Sequence, residues 1–129
     1  MMENLFIVGV GGFLGANARY VLSAWIAERS AGLFPLNIPL GTLAVNVLGS
    51  FCLALFIAWV ARRVSIPERT RLMIGTGFFG AFTTFSTYAN ESIALIRDGD
   101  WSAGLGNMLI TNLLCVIAVV LGLLVGSRL

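Results

Sequence analysis

The chain has 129 residues, a length typical of one domain, and 58% of them are hydrophobic whereas 11% are charged. This composition, with a mean hydropathy of +0.94, excludes an ordinary soluble protein and predicts an integral membrane protein. The net charge of +2 comes from arginines near the ends of apolar stretches, which is a membrane pattern and not a nucleic-acid-binding patch. The chain contains no His, no nucleophile–base pair and no carboxylates or thiols at metal-ligand spacing, so we expect no enzymatic activity.

Four apolar stretches are long enough to cross a bilayer as helices, near residues 4–27, 40–61, 72–96 and 102–127. Residues 1–129 therefore form a single four-helix transmembrane domain, with short connections at 28–39, 62–71 and 97–100 and both termini on one side. The arginines expected on the side of the termini (Arg62, Arg63, Arg69, Arg71, Arg128) outnumber those on the other side (Arg29, Arg97). The positive-inside rule therefore gives a moderate, not decisive, bias toward cytoplasmic termini.

The first span carries small residues at helical spacing, followed by a charge. Gly11 and Gly15 lie four residues apart, as expected for a face that packs closely on another helix. Arg19 lies one turn further along the same face. It is either an arginine that extends toward lipid headgroups or a fixed charge that attracts an anion, and its distance from either span end favours the second interpretation.

The second and fourth spans each carry a polar stripe. Thr42, Asn46 and Ser50 recur every four residues in one, and Asn107, Thr111 and Cys115 in the other. Such side chains serve either interhelical hydrogen bonds or a polar pathway. Asn112 lies about 100° away from its stripe and suits a contact between helices. Cys115 and the other cysteine, Cys52, lie in separate apolar runs, so no disulfide is expected.

The third span is irregular between Gly75 and Glu91. Gly75, Gly77 and Gly80 each weaken a helix by roughly 1 kcal/mol relative to Ala, and a run of Thr and Ser follows. We therefore predict a broken helix that resumes near Thr84, with Phe85, Tyr88 and Glu91 on one face. A break inside an apolar span is typical of an ion or substrate site.

The inward-facing polar side chains are mainly neutral hydrogen-bond donors: Asn46, Thr84, Ser86, Thr87, Asn107 and Thr111. Neutral donors, with the positive edges of aromatic rings such as Phe85 and Tyr88, can replace the hydration of a small anion. A cation pathway or a proton-coupled exporter would require acidic residues in mid-span, and we find none there. Four helices do not easily enclose a pore alone, so we expect at least a dimer.

Three motifs resemble the Fluc fluoride channel family, also called CrcB. The stretch Gly77 to Thr87 (GFFGAFTTFST) closely resembles its third-helix signature; Gly41 to Asn46 (GTLAVN) and Gly15 to Tyr20 (GANARY) resemble its second- and first-helix motifs. The motifs occur in order and with the spacing of four spans. The third-helix motif is highly specific.

The resemblance implies a passive fluoride channel that exports cytoplasmic fluoride and protects the cell from its toxicity. It implies an antiparallel, dual-topology homodimer with two pores in the bacterial plasma membrane. The pore residues implied are Asn46, Phe85, Tyr88, Asn107, Thr111 and Cys115, with Arg19 as a vestibule charge; the neutral donors Thr84 and Thr87 are expected to line the same pore. The backbone carbonyls of Gly80 and Thr83 would bind a structural Na⁺ at the dimer interface.

Two positions depart from the family pattern. Tyr88 occupies a position where the family usually has Phe, and Cys115 one where it usually has a hydroxyl. Two other functions stay open: a small multidrug-resistance-like proton-coupled exporter, and a structural membrane protein in which the glycines and Asn46 only pack helices.

Overall fold

The structure, a computed structural model, describes residues 1–32, 37–63 and 66–129. Three long helices are present: α1 (Met2–Ser30), α2 (Leu40–Ala61) and α6 (Trp101–Gly126). Each is long and apolar enough to cross a membrane. They agree with three of the predicted spans to within a few residues, although α1 extends three residues beyond its predicted end. The predicted connections at 28–39 and 62–71 lie partly outside the described residues.

The third predicted span is a composite of short helical segments. It begins with α3 (Glu68–Arg71), continues through a π-helical segment (Leu72–Phe79) and α4 (Gly80–Phe82), and ends with α5 (Phe85–Arg97). Thr83 and Thr84 between α4 and α5 have β-type backbone angles, with ψ values of 156° and 109°. We call these two residues the extended segment.

The glycine cluster does not itself interrupt the helix, contrary to the reasoning from helix propensity. Gly75 and Gly77 lie within the π-helical segment, and Gly80 begins α4. Gly77 instead allows α1 to approach, because a Cβ atom on it would lie 2.8 Å from the carbonyl oxygen of Val8. On the opposing helix, a Cβ on Gly15 would collide with the carbonyl of Phe78, so the predicted packing role of Gly15 is confirmed.

The helices pack with their small and polar residues inward and many large apolar residues outward. α2 packs along α6, α1 along the π-helical segment and α4, and α5 against α6. Phe13 and Leu109 are 70% and 73% exposed, whereas Asn107 is 2% exposed. Because lipid solvates apolar side chains, this distribution suits a chain surrounded by hydrocarbon, where close packing and interhelical hydrogen bonds hold helices together.

Contacts between connections identify the two ends of the bundle. Arg69 forms an ion pair with Glu3 near the amino terminus, and Arg62 and Arg63 donate to the carbonyls of Ser127 and Leu129. The carboxyl end of α2 and the start of α3 therefore lie beside both chain termini. At the other end, Asn37 donates to Asp100 over 3.2 Å. This arrangement agrees with four crossings, the third made by α3 to α5 together.

Candidate functional site: a polar cavity at the extended segment

The extended segment is held by the side chain of Asn46 on α2. The Asn46 Oδ1 atom accepts a hydrogen bond from the Thr84 N–H at 2.7 Å, and its Nδ2 atom donates to the Thr84 carbonyl at 3.0 Å. Both residues are 7% exposed. The Asn46 amide thus satisfies both backbone groups of a residue that lies outside any helix, as burial requires.

Thr84 also caps the helix that follows. Its Oγ1 atom accepts a hydrogen bond from the Thr87 N–H at 3.2 Å, so it is the N-cap of α5. The same hydroxyl donates to Thr87 Oγ1 at 2.9 Å. Because Thr87 Oγ1 is the acceptor in this pair, its own proton remains available for another acceptor.

These two interactions release two carbonyls from their regular helical donors. In a continuous α-helix, the N–H of Thr84 would bond the carbonyl of Gly80, and that of Thr87 would bond the carbonyl of Thr83. Here the first N–H donates to Asn46 and the second to the Thr84 hydroxyl. Gly80 is exposed, and a Cβ atom added to it would meet open space. The carbonyls of Gly80 and Thr83 are oxygen ligands of the type that hard cations prefer.

A cavity of about 360 Å³ opens beside the extended segment, and we call it the main cavity. It collects six of the eight predicted pore residues from three elements and the extended segment: Asn46, Thr84, Phe85, Tyr88, Thr111 and Cys115. Ser50, Thr83 and Asn112 contribute further polar groups, and apolar residues of α2 and α6 complete the wall. Two residues from each predicted polar stripe, Asn46 and Ser50 on α2 and Thr111 and Cys115 on α6, therefore meet at one cavity.

A second, smaller cavity contains the predicted vestibule charge. This arginine cavity, of about 190 Å³, is lined by Arg19, Tyr20, Ser23, Thr42, Val45, Thr84 and Thr87. Because Thr84 lines both cavities, they adjoin at the extended segment. A fixed positive charge and the hydroxyls of Thr42, Thr84 and Thr87 thus share the smaller cavity.

The two predicted pore aromatics are neighbours. The ring centroids of Phe85 and Tyr88 are 5.5 Å apart with the planes tilted by 58°. Tyr88 is buried at 7% exposure, whereas Phe85 is 77% exposed at the margin of the main cavity. Within this chain, therefore, only Tyr88 of the two rings is enclosed by protein.

Asn107 lies outside both cavities, in a buried chain of hydrogen bonds. Thr111 donates to Asn107 Oδ1 at 3.2 Å, Asn107 Nδ2 donates to Ser92 at 2.8 Å, and Ser92 donates to the Tyr88 carbonyl at 2.8 Å. The hydroxyl proton of Thr111 is thus used inside the protein, although its side chain lines the main cavity. The roles of Asn107 and Thr111 in a pore stay predictions.

The structure adds Glu91 to the polar residues of this region. Thr42 donates to its Oε1 atom at 2.9 Å, while its Oε2 atom is buried and has no hydrogen-bond partner among the described residues. Glu91 lies in the middle of α5, six residues before that helix ends, and its partner Thr42 is the third residue of α2, so the carboxylate lies toward one end of the bundle, near the edge of the predicted span at 72–96. The signal was present, because Glu91 follows Tyr88 by three residues and shares its face.

Within the described ranges, no group of three or more His, Cys, Asp or Glu side chains is arranged to hold a metal ion. The fold and the cavities define a small multi-pass membrane protein with a polar site at an interruption of its third span. Irregular backbone of this kind is found in channels and transporters, where it lines a path for the permeating species.

Comparison with known proteins identifies the family. Residues 6–123 match the model of the family described as CrcB-like protein, Camphor Resistance (CrcB), and the chain belongs to this family. A relative from Sorangium cellulosum (strain So ce56), named fluoride-specific ion channel FluC, is 44% identical over 128 residues, covering 99% of this chain and 98% of the relative. A relative of the same name from Magnetococcus marinus is 45% identical over 123 residues, covering 92% and 94% of the two chains.

Proposed function

We propose that the chain is a fluoride-specific ion channel that lets cytoplasmic fluoride leave by passive electrodiffusion and so protects the cell from fluoride toxicity. The observation that carries this proposal is the similarity, over nearly the whole chain, to relatives named fluoride-specific ion channels. The main cavity supports it with neutral donors and aromatic rings gathered at one interruption of the backbone.

The chemistry of the two cavities suits a small, strongly hydrated anion. Arg19 attracts the anion to the arginine cavity, where the free proton of Thr87 can donate to it. The ring edges of Phe85 and Tyr88, which carry partial positive charge, replace further water in the main cavity. The second Nδ2 proton of Asn46, beyond the one given to Thr84, offers another donor. Fluoride accepts stronger hydrogen bonds than chloride, so a pathway built from such donors favours it.

The assembly we propose is an antiparallel, dual-topology homodimer in a bacterial plasma membrane. Phe85 and Gly80 are exposed in the single subunit, which supports a second copy that covers this face and completes each pore. The test is the accessibility of a carboxyl-terminal tag to an impermeant label in intact and in opened cells. Labelling of about half the molecules from each side is the expected result, and one-sided labelling would exclude dual topology.

We also propose that the carbonyls of Gly80 and Thr83 from both subunits hold a structural Na⁺. The support is that the N–H groups that would bond these carbonyls in a regular helix donate instead to the side chains of Asn46 and Thr84. A bound cation would offset the partial negative charges of these carbonyls where the two subunits meet. Replacement of Na⁺ by N-methylglucamine should therefore lower the stability of the dimer in detergent, whereas a dimer equally stable without Na⁺ would contradict the site.

The experiment that tests the proposed function is fluoride efflux from liposomes containing the purified protein. The liposomes are loaded with potassium fluoride, and release is started with valinomycin and followed with a fluoride electrode. A channel gives rapid release that depends on valinomycin, with negligible chloride release in a parallel sample. Well-folded protein that releases no fluoride would refute the proposal.

One observation favours a second candidate, a proton-coupled exporter of lipophilic cations. The carboxylate of Glu91 has one buried oxygen without a hydrogen-bond partner among the described residues, and such exporters use a buried carboxylate to bind first a proton and then a cation. The same liposomes distinguish the two functions. An exporter would drive ethidium movement with a pH gradient, whereas a fluoride channel moves no ethidium.

A further inference from the structure

Tyr88 carries a hydroxyl that a phenylalanine would lack, and this hydroxyl forms hydrogen bonds to two groups of α6. The Tyr88 hydroxyl donates to the carbonyl of Met108 at 3.3 Å and accepts from Asn112 Nδ2 at 2.7 Å. The Asn112 Nδ2 atom also donates to the Met108 carbonyl at 2.7 Å. Three polar groups from two helices thus form one closed triangle beside the main cavity.

The directions of these hydrogen bonds are determined by chemistry. A carbonyl oxygen can only accept, so the Asn112 atom beside Met108 is the amide nitrogen, and the Tyr88 hydroxyl is the donor in its own contact with that carbonyl. The hydroxyl then meets the second Nδ2 proton as an acceptor. Both donors of Asn112 and the only donor of Tyr88 are therefore used within the protein.

From this geometry we infer that Asn112 is a positioning residue, which holds the Tyr88 hydroxyl on α6 so that only the ring faces the permeating anion. The inference rests on the proposed channel function. Tyr88 and Asn112 both line the main cavity, so a hydroxyl freed from Asn112 has space to turn toward it. The remaining bond to Met108, at 3.3 Å, is the longest of the three contacts and the weakest restraint.

A free hydroxyl in the cavity would act as an additional donor to fluoride. Conduction requires a site that binds the ion tightly enough to admit it and weakly enough to let it leave. One additional hydrogen bond would lower the half-saturating fluoride concentration by about fivefold and slow the exit of the ion to a similar extent. By holding the Tyr88 hydroxyl on α6, Asn112 thus allows a tyrosine at this position without slowing the exit of fluoride.

The test measures the initial efflux rate against internal fluoride concentration for the wild type, Asn112→Leu, Tyr88→Phe and the double variant. We expect Asn112→Leu to lower both the maximal rate and the half-saturating concentration by about fivefold, the factor worked out for one hydrogen bond. Removal of the hydroxyl should rescue this defect, so that Asn112→Leu has no effect in the Tyr88→Phe background. Asn112→Ala replaces Asn112→Leu if the leucine variant is not monodisperse in detergent.

The matched control is Asn17→Leu. Asn17 Nδ2 donates to the carbonyl of Phe13, four residues earlier, at 2.7 Å, which is the same bond that Asn112 makes to Met108. Asn17 has no bond to Tyr88, so its loss should leave the half-saturating concentration unchanged.

Two results would overturn the inference and can be told apart. If Asn112→Leu lowers only the maximal rate, and does so equally with Tyr or Phe at position 88, Asn112 has a structural role alone. If the wild type releases no fluoride, the proposed function fails, and the inference fails with it.

Discussion

Replacement of Asn46 by leucine tests whether one side chain maintains the interruption of the third span. The change removes both hydrogen bonds to the buried Thr84 backbone, at 2.7 Å to its N–H and at 3.0 Å to its carbonyl. Interhelical hydrogen bonds in membranes contribute about 0.6 to 2 kcal/mol each, so the loss of both should lower the free energy of unfolding by about 1 to 4 kcal/mol.

The same substitution should abolish fluoride efflux even where the protein still folds. Without Asn46, the Thr84 N–H can return to the Gly80 carbonyl, which closes the interruption and displaces the cavity wall. Asn46→Asp keeps the acceptor for the Thr84 N–H but loses the donor to the Thr84 carbonyl. We expect this variant to be intermediate in stability.

The assays are unfolding in a mixed-micelle titration with dodecyl sulfate and efflux from liposomes, with Asn17→Leu as the control for an exposed amide. The control should unfold close to the wild type, because its single bond links residues of the same helix. An Asn46→Leu protein with wild-type unfolding and wild-type fluoride efflux would refute the structural role and the pore role together. Lower stability with full efflux would leave only the packing interpretation of Asn46.

Three further predictions concern positions around the cavity and at the end of the bundle. Gly49→Ala should lower the fluoride efflux rate severalfold, because the added methyl group would contact the extended segment and would lie 3.0 Å from a ring carbon of Phe82 on α4. The control Gly9→Ala should keep the wild-type rate, because the space around Gly9 is open. Equal efflux rates for the two variants would contradict this packing. A methanethiosulfonate reagent should slow efflux by reacting with Cys115, which lines the main cavity, and should have no effect when Cys52 is the only cysteine; inhibition through Cys52 would count against the assigned path. The pKa of Asp100 lies below its usual value, mainly because a backbone N–H and two side chains donate hydrogen bonds to its carboxylate. The Asp100 cap on α6 therefore stabilises the fold at pH values above the usual pKa, and this stabilisation is lost as the pH falls through the lowered pKa. The free energies of unfolding of the wild type and Asp100→Ala should converge at low pH, and a difference that does not change with pH would exclude this linkage.

Much of the helical architecture follows from local properties of the chain. Apolar length alone predicts α1, α2 and α6, because a helix is the only isolated structure that satisfies its own backbone in hydrocarbon. The polar stripes through Asn46 and Thr111 follow from helical periodicity, as does the common face of Phe85 and Tyr88. The packing role of Gly15 also follows from spacing, since close contact between helices requires small residues four apart.

Tertiary contacts determined which residues interrupt the third span. Helix propensity pointed to Gly75, Gly77 and Gly80, but these remain helical, because a π-helical segment keeps the backbone bonded and Gly77 packs on α1. The chain is extended at Thr83 and Thr84 instead, where a side chain from another helix supplies the hydrogen bonds that the helix gives up. Periodicity within one helix contains no information about such a partner.

The same distinction applies to the polar side chains of the site. The sequence by itself determined that neutral donors, two aromatic residues and Arg19 lie at helical spacing along the spans. Its motifs determined the family. Only the tertiary structure decided which of those donors are already used: the hydroxyl of Thr111 on Asn107, and that of Tyr88 between Met108 and Asn112. The physical reason is that a hydroxyl has one proton to donate, and the acceptor of that proton depends on which groups the tertiary structure places beside it.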